Sequence, residues 1–489
     1  MISIGRGGLV RRHSSAVQNR GSNRSFKPVP ALKPLFAHSA LVRRLRFVAV
    51  SFVLGALSGP VLAWSNHALC TWPALAALPR IADAAPVPVE RLEDFLTAEG
   101  PALAQLLDTE ERWARDHVPT YPARPDALAF RYDTAAPAEA RRRFLAALRI
   151  NPAVPLSLYV QVRPGEAPGA RRVLAEAEVT TLKRSETTRS NTYVEWKPGE
   201  AVPVIDVVAT ASDEPDHGFD IGLWEDSGTP YGRVYGFGKQ PFGANPAVEF
   251  ASQAPLHIGF FHEAAIVYKA GPFLQRTYPE YRIHLWQTLA AHALRSGHPY
   301  WGWRFAGWAL HYIQDLTQPY HARVLPGRSV AGMLWINTLY LAGWRTPRED
   351  AVTLVTNRHL ALENYQLHRV RRAYLRRDTQ DAALLALGDT RRDAATVYTD
   401  SAPRQAITAQ SSGYADALDA LLAEHLPRKY TSDPGYVLGE TEPGVDLLAV
   451  VASSGPAGEA AITDALVRLL GNFGAHTRAF VRALPASSR

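Results

Sequence analysis

The stretch that decides the reading is His311-Tyr312-Ile313-Gln314-Asp315-Leu316-Thr317-Gln318-Pro319-Tyr320-His321. His311 and Asp315 are four residues apart, so on a helix they share one face. Pro319 cannot continue that helix, and the break swings His321 back toward the same region. Three ligand-type side chains can then converge. A second pair with the same spacing, His359 and Glu363, lies in another helical stretch. Imidazole with carboxylate is donor chemistry that suits zinc. One such pair is an ordinary polar helix face, whereas two pairs with a Pro-broken helix between them point to a metal centre.

Outward from these residues the pattern is mostly helical. Apolar periodicity of 3 to 4 predicts helices near 68–78, 89–107, 137–148, 281–294, 301–314, 352–372 and 459–484. An elaboration near 127–210 differs, since β-branched runs at 156–162, 179–182 and 202–208 predict short strands. Gly and Pro alternate with aromatics through 224–255, including Tyr235-Gly236-Phe237-Gly238, which reads as turns. Trp301, Trp303 and Trp308 read as core packing. An apolar insertion near 325–350 carries Trp335, Tyr340 and Trp344, which would suit a lipid interface or a buried helix. The fold class expected is mainly α, with a small β-containing elaboration.

Composition narrows the function. The 489 residues include a single cysteine, Cys70, which excludes an intrachain disulfide framework and cysteine-cluster zinc sites. The net charge of +7 suggests a nucleic-acid partner until its placement is examined. Residues 1–63 hold ten Arg and Lys and no Asp or Glu, leaving 43 basic against 46 acidic residues beyond them. The remainder is therefore net −3 and has no general attraction for polyanions. The basic leader reads as an export signal: Arg43, Arg44 and Arg46 precede the apolar run 47–57, and Val61-Leu62-Ala63 offers a cleavage site. The expected domains are 1–63, signal peptide and basic leader, and 64–489, one helical domain that carries the candidate metal centre and is periplasmic or secreted. An uncleaved N-terminal anchor is the alternative for the leader.

At these residues the chain resembles the zinc-dependent phospholipase C family, which shares a helical fold and a trinuclear zinc site with single-strand-specific nucleases. His311 to His321 matches the motif H-Y-x-x-D-x-x-x-P-x-H throughout, and His359 and Glu363 match H-x-x-x-E. Family members begin, after signal removal, with a Trp whose α-amino nitrogen and carbonyl oxygen bind zinc. The expected cleavage exposes Trp64, with His67 nearby. The resemblance implies an Asp and a His further along. Asp216, in Glu214-Pro215-Asp216, has Asp213 and Asp220 as alternatives, and His262, 49 residues before His311, has His257 as a competitor.

The implied site has three zincs. Asp315 bridges two of them: one is also held by Asp216, His262 and His311, the other by Trp64 and His67. The third takes His321, His359 and Glu363. Such a cluster suits phosphodiester hydrolysis by an activated water, with Asp216 and Asp315 as the implied catalytic carboxylates. Substrate choice is open at this level. Ala322-Arg323-Val324-Leu325-Pro326-Gly327-Arg328 stands where nucleases typically carry Gly-Gly-Asn, which favours a phospholipid substrate with peripheral membrane contact over nucleic acid. The side chains that hold choline in bacterial phospholipases are not matched either: His67, His217 and Gly259 occupy those spacings. The expected function is a zinc phospholipase C. A nuclease or nucleotidase, and a non-catalytic metal- or membrane-binding protein, are the alternatives.

Overall fold

A computed structural model of the chain describes residues 64, 66–182, 190–242, 249–439 and 441–487. The basic leader and its cleavage site lie outside the described residues. Those residues fall within one unit spanning 50–489, and among them no helix is long and apolar enough to cross a membrane.

The architecture is mainly helical, as the apolar periodicity predicts. The principal helices are α1 (His67–Ala76), α2 (Leu92–His117), α3 (Ala140–Leu148), α4 (Val204–Ala211), α5 (Glu249–His257), α6 (Pro279–Arg295) and α7 (Pro299–Asp315). They continue with α8 (Pro319–Ala322), α9 (Val330–Leu341), α10 (Thr346–Arg376), α11 (Thr408–His425), α12 (Leu447–Ser454) and α13 (Pro456–Ala483). The organising element is α7, in which every residue from Tyr300 to Asp315 is buried. A helix covered on all sides must be apolar or internally satisfied all round. The expected Trp301, Trp303 and Trp308 core cluster meets this, with Arg304 paired to Glu214 at 2.7 Å.

α6 precedes α7 across a short turn and packs along it. On another side α4 crosses α7 at Gly307, where a Cβ would stand 2.5 Å from Ala211 Cβ and 2.7 Å from the Val208 carbonyl oxygen. Only a missing side chain permits that approach.

Strand expectations fare unevenly. Two small antiparallel pairs exist: β1 (Val87–Pro88) with β4 (Ala201–Val202), and β2 (Tyr159–Val162) with β3 (Thr192–Glu195), the latter in register Tyr159↔Glu195. The run 202–208 is not a strand beyond Val202. From Val204 it is α4, whose buried Val204, Val207, Val208 and Ala211 follow helical spacing, so packing against α7 overrides β-branched propensity. The run 179–182 is no strand either. Thr180 and Thr181 instead bond to the His217 carbonyl, bracing the loop that carries Asp216.

Buried apolar side chains form a large core around α7 and a second, smaller cluster. The second is built from Phe242, Ile258, Phe260, Val324, Leu325 and Val352, and closed by Met333 and Ile336 of α9. The insertion 330–344 is thus a helix with one face in this cluster and Trp335 and Trp344 outside it.

Candidate metal centre

The last turn of α7 supplies His311 and Asp315, both fully buried. Gln318, extended before Pro319, turns the chain into α8, which delivers His321 beside them. α1 brings His67, which is braced from both sides. Asp213 accepts its backbone N–H at 2.6 Å, and Asn66 caps the helix by accepting from Leu69. α10 carries His359 and Glu363 on one face, their Nε2 and Oε1 2.6 Å apart. The end of α5 brings His257.

Three donor groups result. They are His67 with His311 and Asp315, Asp216 with His257 and His311, and His321 with His359 and Glu363. Within each, the ligand atoms lie within 4.8 Å of one another. His311 joins the first two groups. Asp315 touches all of them: Oδ2 lies 2.8 Å from His257 Nδ1 and 3.4 Å from His311 Nε2, and Oδ1 lies 3.4 Å from His67 Nε2 and 4.0 Å from His321 Nδ1.

Second-layer contacts aim these side chains. His67 Nδ1 donates to Gln314 Oε1 at 2.8 Å, His311 Nδ1 to the Ser212 carbonyl at 2.9 Å, and His321 Nδ1 to the His257 carbonyl at 3.2 Å. Using Nδ1 as donor leaves each Nε2 unprotonated and facing inward, the arrangement a metal-binding histidine requires. Accordingly Nε2 of His67, His321 and His359, Oδ1 of Asp315 and Oε2 of Glu363 are buried without a hydrogen-bond partner. Orphaned buried polar atoms are costly. Here five of them face the same small region, and a cation set would satisfy them all.

The charge states of three imidazoles agree, whereas for His67 burial is outweighed by the Asp315, Asp216 and Asp213 carboxylates, which raise it. Burial pushes His311 and His359 well below the ordinary imidazole range and His321 to about 4, so all three are neutral donors. Burial also drives Glu363 well above the usual carboxylate range. Burial would raise Asp315, but the hydrogen bonds of His257 and His67 and the charge on His257 outweigh it and hold Asp315 well below the usual carboxylate range. Burial alone would lower His257, but Asp220 and Asp315 hold it up at about 10. It carries a proton between two carboxylates at the position a metal cation would take.

The residues proposed from the resemblance divide clearly. His67, Asp216, His311, Asp315, His321, His359 and Glu363 come together. His262 does not. It lies past the end of α5, and its Nε2 faces the Arg404 carbonyl and Thr408 at 2.9 and 3.1 Å, so its place is taken by His257. Asp216 keeps its position against Asp213 and Asp220. Burial raises it to about 6, its Oδ1 lies 3.6 Å from His311 Nε2, and Gln253 donates to it at 3.1 Å. Asp213 is occupied with α1. Asp220 supports rather than ligates: it receives Arg282 at 2.5 Å and the Tyr312 hydroxyl at 2.7 Å, and its Oδ2 lies 3.2 Å from His257 Nε2.

Trp64 is fully buried beside the centre, with Nε1 donating to Thr317 at 3.0 Å. Its neighbours Ala63 and Ser65 lie outside the described residues.

Gln314, Gln253 and Arg282 were not anticipated as parts of the site. Only Tyr312, inside the H-Y-x-x-D motif, carried a sequence signal for this supporting layer. A shallow apolar cavity of about 50 Å³ opens next to His359, lined by Phe242, Ile258, Phe260, Tyr320, Val324 and Val352 among others. No family model, no curated protein and no solved structure matches the chain.

Proposed function

We propose that this chain is an exported zinc-dependent phosphodiesterase of phospholipase C type, acting on the glycerol side of a phospholipid phosphodiester. The observation that carries the reading is the set of three contiguous His and carboxylate groups, five of whose inward atoms are buried without a hydrogen-bond partner. The donor set is nitrogen and oxygen without sulfur, which fits zinc. One ion would be held by Asp216, His257, His311 and Asp315, a second by Asp315, His67 and the main chain of Trp64, and a third by His321, His359 and Glu363.

Ions so held would supply Lewis acidity toward a phosphate and a water acidified to near-neutral pH. The protein's own contribution is positional. Asp315 holds the first two groups in one frame, and Gln314, Ser212 and Asp220 fix the imidazole orientations. Asp216 is the one carboxylate of the three groups whose side chain keeps solvent access, at 16%. Its Oδ1 can therefore accept a proton from an attacking water without disturbing the bridge. The apolar cavity beside His359 supports a lipid-like substrate, because it offers no partners for a nucleobase edge beyond Tyr320, Thr356 and His359.

Mature protein loaded with zinc should release diacylglycerol from mixed phospholipids and cleave bis(4-nitrophenyl) phosphate. Cleavage of single-stranded DNA or RNA with intact phospholipid would replace this reading with the nuclease. Zinc uptake without turnover of any of them would make the chain a metal-binding protein only.

A further inference from the structure

α9 is an apolar helix with an uncovered face. Met333, Ile336 and Asn337 are buried against the second cluster, while Ala331, Trp335 and Thr338 are exposed, as is the continuation 341–346. Trp335 is 62% exposed, Trp344 68% and Leu341 46%, which puts two indoles and a leucine in water on α9 and the turn that follows it. Large apolar side chains grouped in this way mark an interaction surface.

Charge identifies the partner. From Leu316 through Arg348 the sequence has four Arg and no Asp or Glu. Arg323 is paired with Glu263 and Asp416. The other three, Arg328 before α9 and Arg345 and Arg348 after it, have no ion pair among the described residues. Near Arg328 the acidic side chains are engaged, Asp416 with Arg323 and Asp419 with Arg358, whereas Glu349 and Asp350 follow the segment directly and lie closest to Arg345 and Arg348. Arg348 is buried against the Tyr340 ring and takes no part in the exposed surface, which leaves Arg328 and Arg345 as its cations. An apolar helix with exposed tryptophans, flanked by Arg328 and Arg345 without ion pairs among the described residues, has the composition of a segment that lies in a bilayer interface.

We propose that α9 and the turn to Arg345 form a docking surface for a bilayer containing anionic phospholipid. The inference rests on the phospholipid reading above for its purpose, since α9 covers the same apolar cluster into which the cavity beside His359 is cut. A second copy of the chain fits less well. A 12-residue helix offers a stripe about 18 Å long and about 10 Å wide, or about 180 Å², far below the ~800 Å² per partner of a stable dimer. A symmetric contact would also bring unpaired arginines together.

The test is co-sedimentation of the full zinc-loaded chain with vesicles of 30% phosphatidylglycerol in phosphatidylcholine, on ice. Wild type should bind these vesicles at least tenfold more tightly than pure phosphatidylcholine, with binding lost at high salt. Trp335→Ser with Trp344→Ser should weaken binding about tenfold. Arg328→Ser with Arg345→Ser should weaken it about 25-fold, at about fivefold for each arginine near an anionic surface. Because all four residues are partly or fully exposed, two unrelated double variants guard against one misfolding. Unchanged binding in either pair overturns the surface, as does a wild-type dimer that Trp335→Ser with Trp344→Ser dissolves. Hydrolysis of bis(4-nitrophenyl) phosphate by wild type reads the metal centre separately. A wild type that cleaves it yet ignores the vesicles refutes the docking surface and leaves the phosphodiesterase reading standing.

Discussion

Replacing Asp315 by Asn keeps the shape of the side chain at the junction of the donor groups and removes its charge. The carboxylate lies 2.8 to 3.4 Å from the inward nitrogens of His257, His311 and His67. An ion in either adjoining group would therefore stand within about 4 Å of it. At an effective dielectric of ~20, unit charges at that distance attract by about 4 kcal/mol, and a divalent ion doubles this to about 8 kcal/mol. Desolvation offsets much of it. If only a quarter survives, about 2 kcal/mol, each of two ions binds about 30-fold more weakly. His359→Ala, by contrast, removes one neutral donor from one group. Elemental analysis after dialysis against a graded chelator should find about three zincs in wild type, about two in His359→Ala and about one in Asp315→Asn. Retention by Asp315→Asn of as much zinc as His359→Ala would refute the shared-carboxylate arrangement.

Three further outcomes follow from the same geometry. His257→Ala should lower zinc content and phosphodiesterase activity by at least about tenfold, whereas His262→Ala should leave both near wild type, as competition with a chromophoric chelator would show. Gly307→Ala pushes a methyl into Ala211 and the Val208 carbonyl, so it should cost about 1–3 kcal/mol in denaturant unfolding and loosen His311 one turn further along α7. If Trp64 binds through its free amine, mass spectrometry of the exported protein should show Trp64 first, and a residue retained before it, converting amine to amide, should remove one zinc.

The sequence by itself determined what depends on local periodicity. His311 with Asp315, and His359 with Glu363, are single-turn relations within helices, and Pro319 decides where α7 must yield to the turn that returns His321. Each is defined within eleven residues, so its spacing can be read without knowing any distant contact. Even the misread run 202–208 carried its helical spacing, at Val204, Val207, Val208 and Ala211, beneath a β-branched composition.

Tertiary structure decided whatever depends on a partner far along the chain. His257 and His262 are indistinguishable by type and nearly so by spacing. What separates them is that α5 ends at His257, opposite Asp315 and Asp220, while the next five residues carry His262 to Arg404 and Thr408. By sequence Asp220 stands as an alternative to Asp216. Arg282 and Tyr312, 62 and 92 residues away, consume its oxygens and turn it into a support for His257. The apolar run 330–344 was equally consistent with a buried helix. It is the second cluster, assembled from Phe242, Ile258, Val324 and Val352, that claims Met333 and Ile336 and leaves Trp335 and Trp344 in water. A helix has one face to bury, and which residues lie on it depends on the surface that the rest of the chain presents.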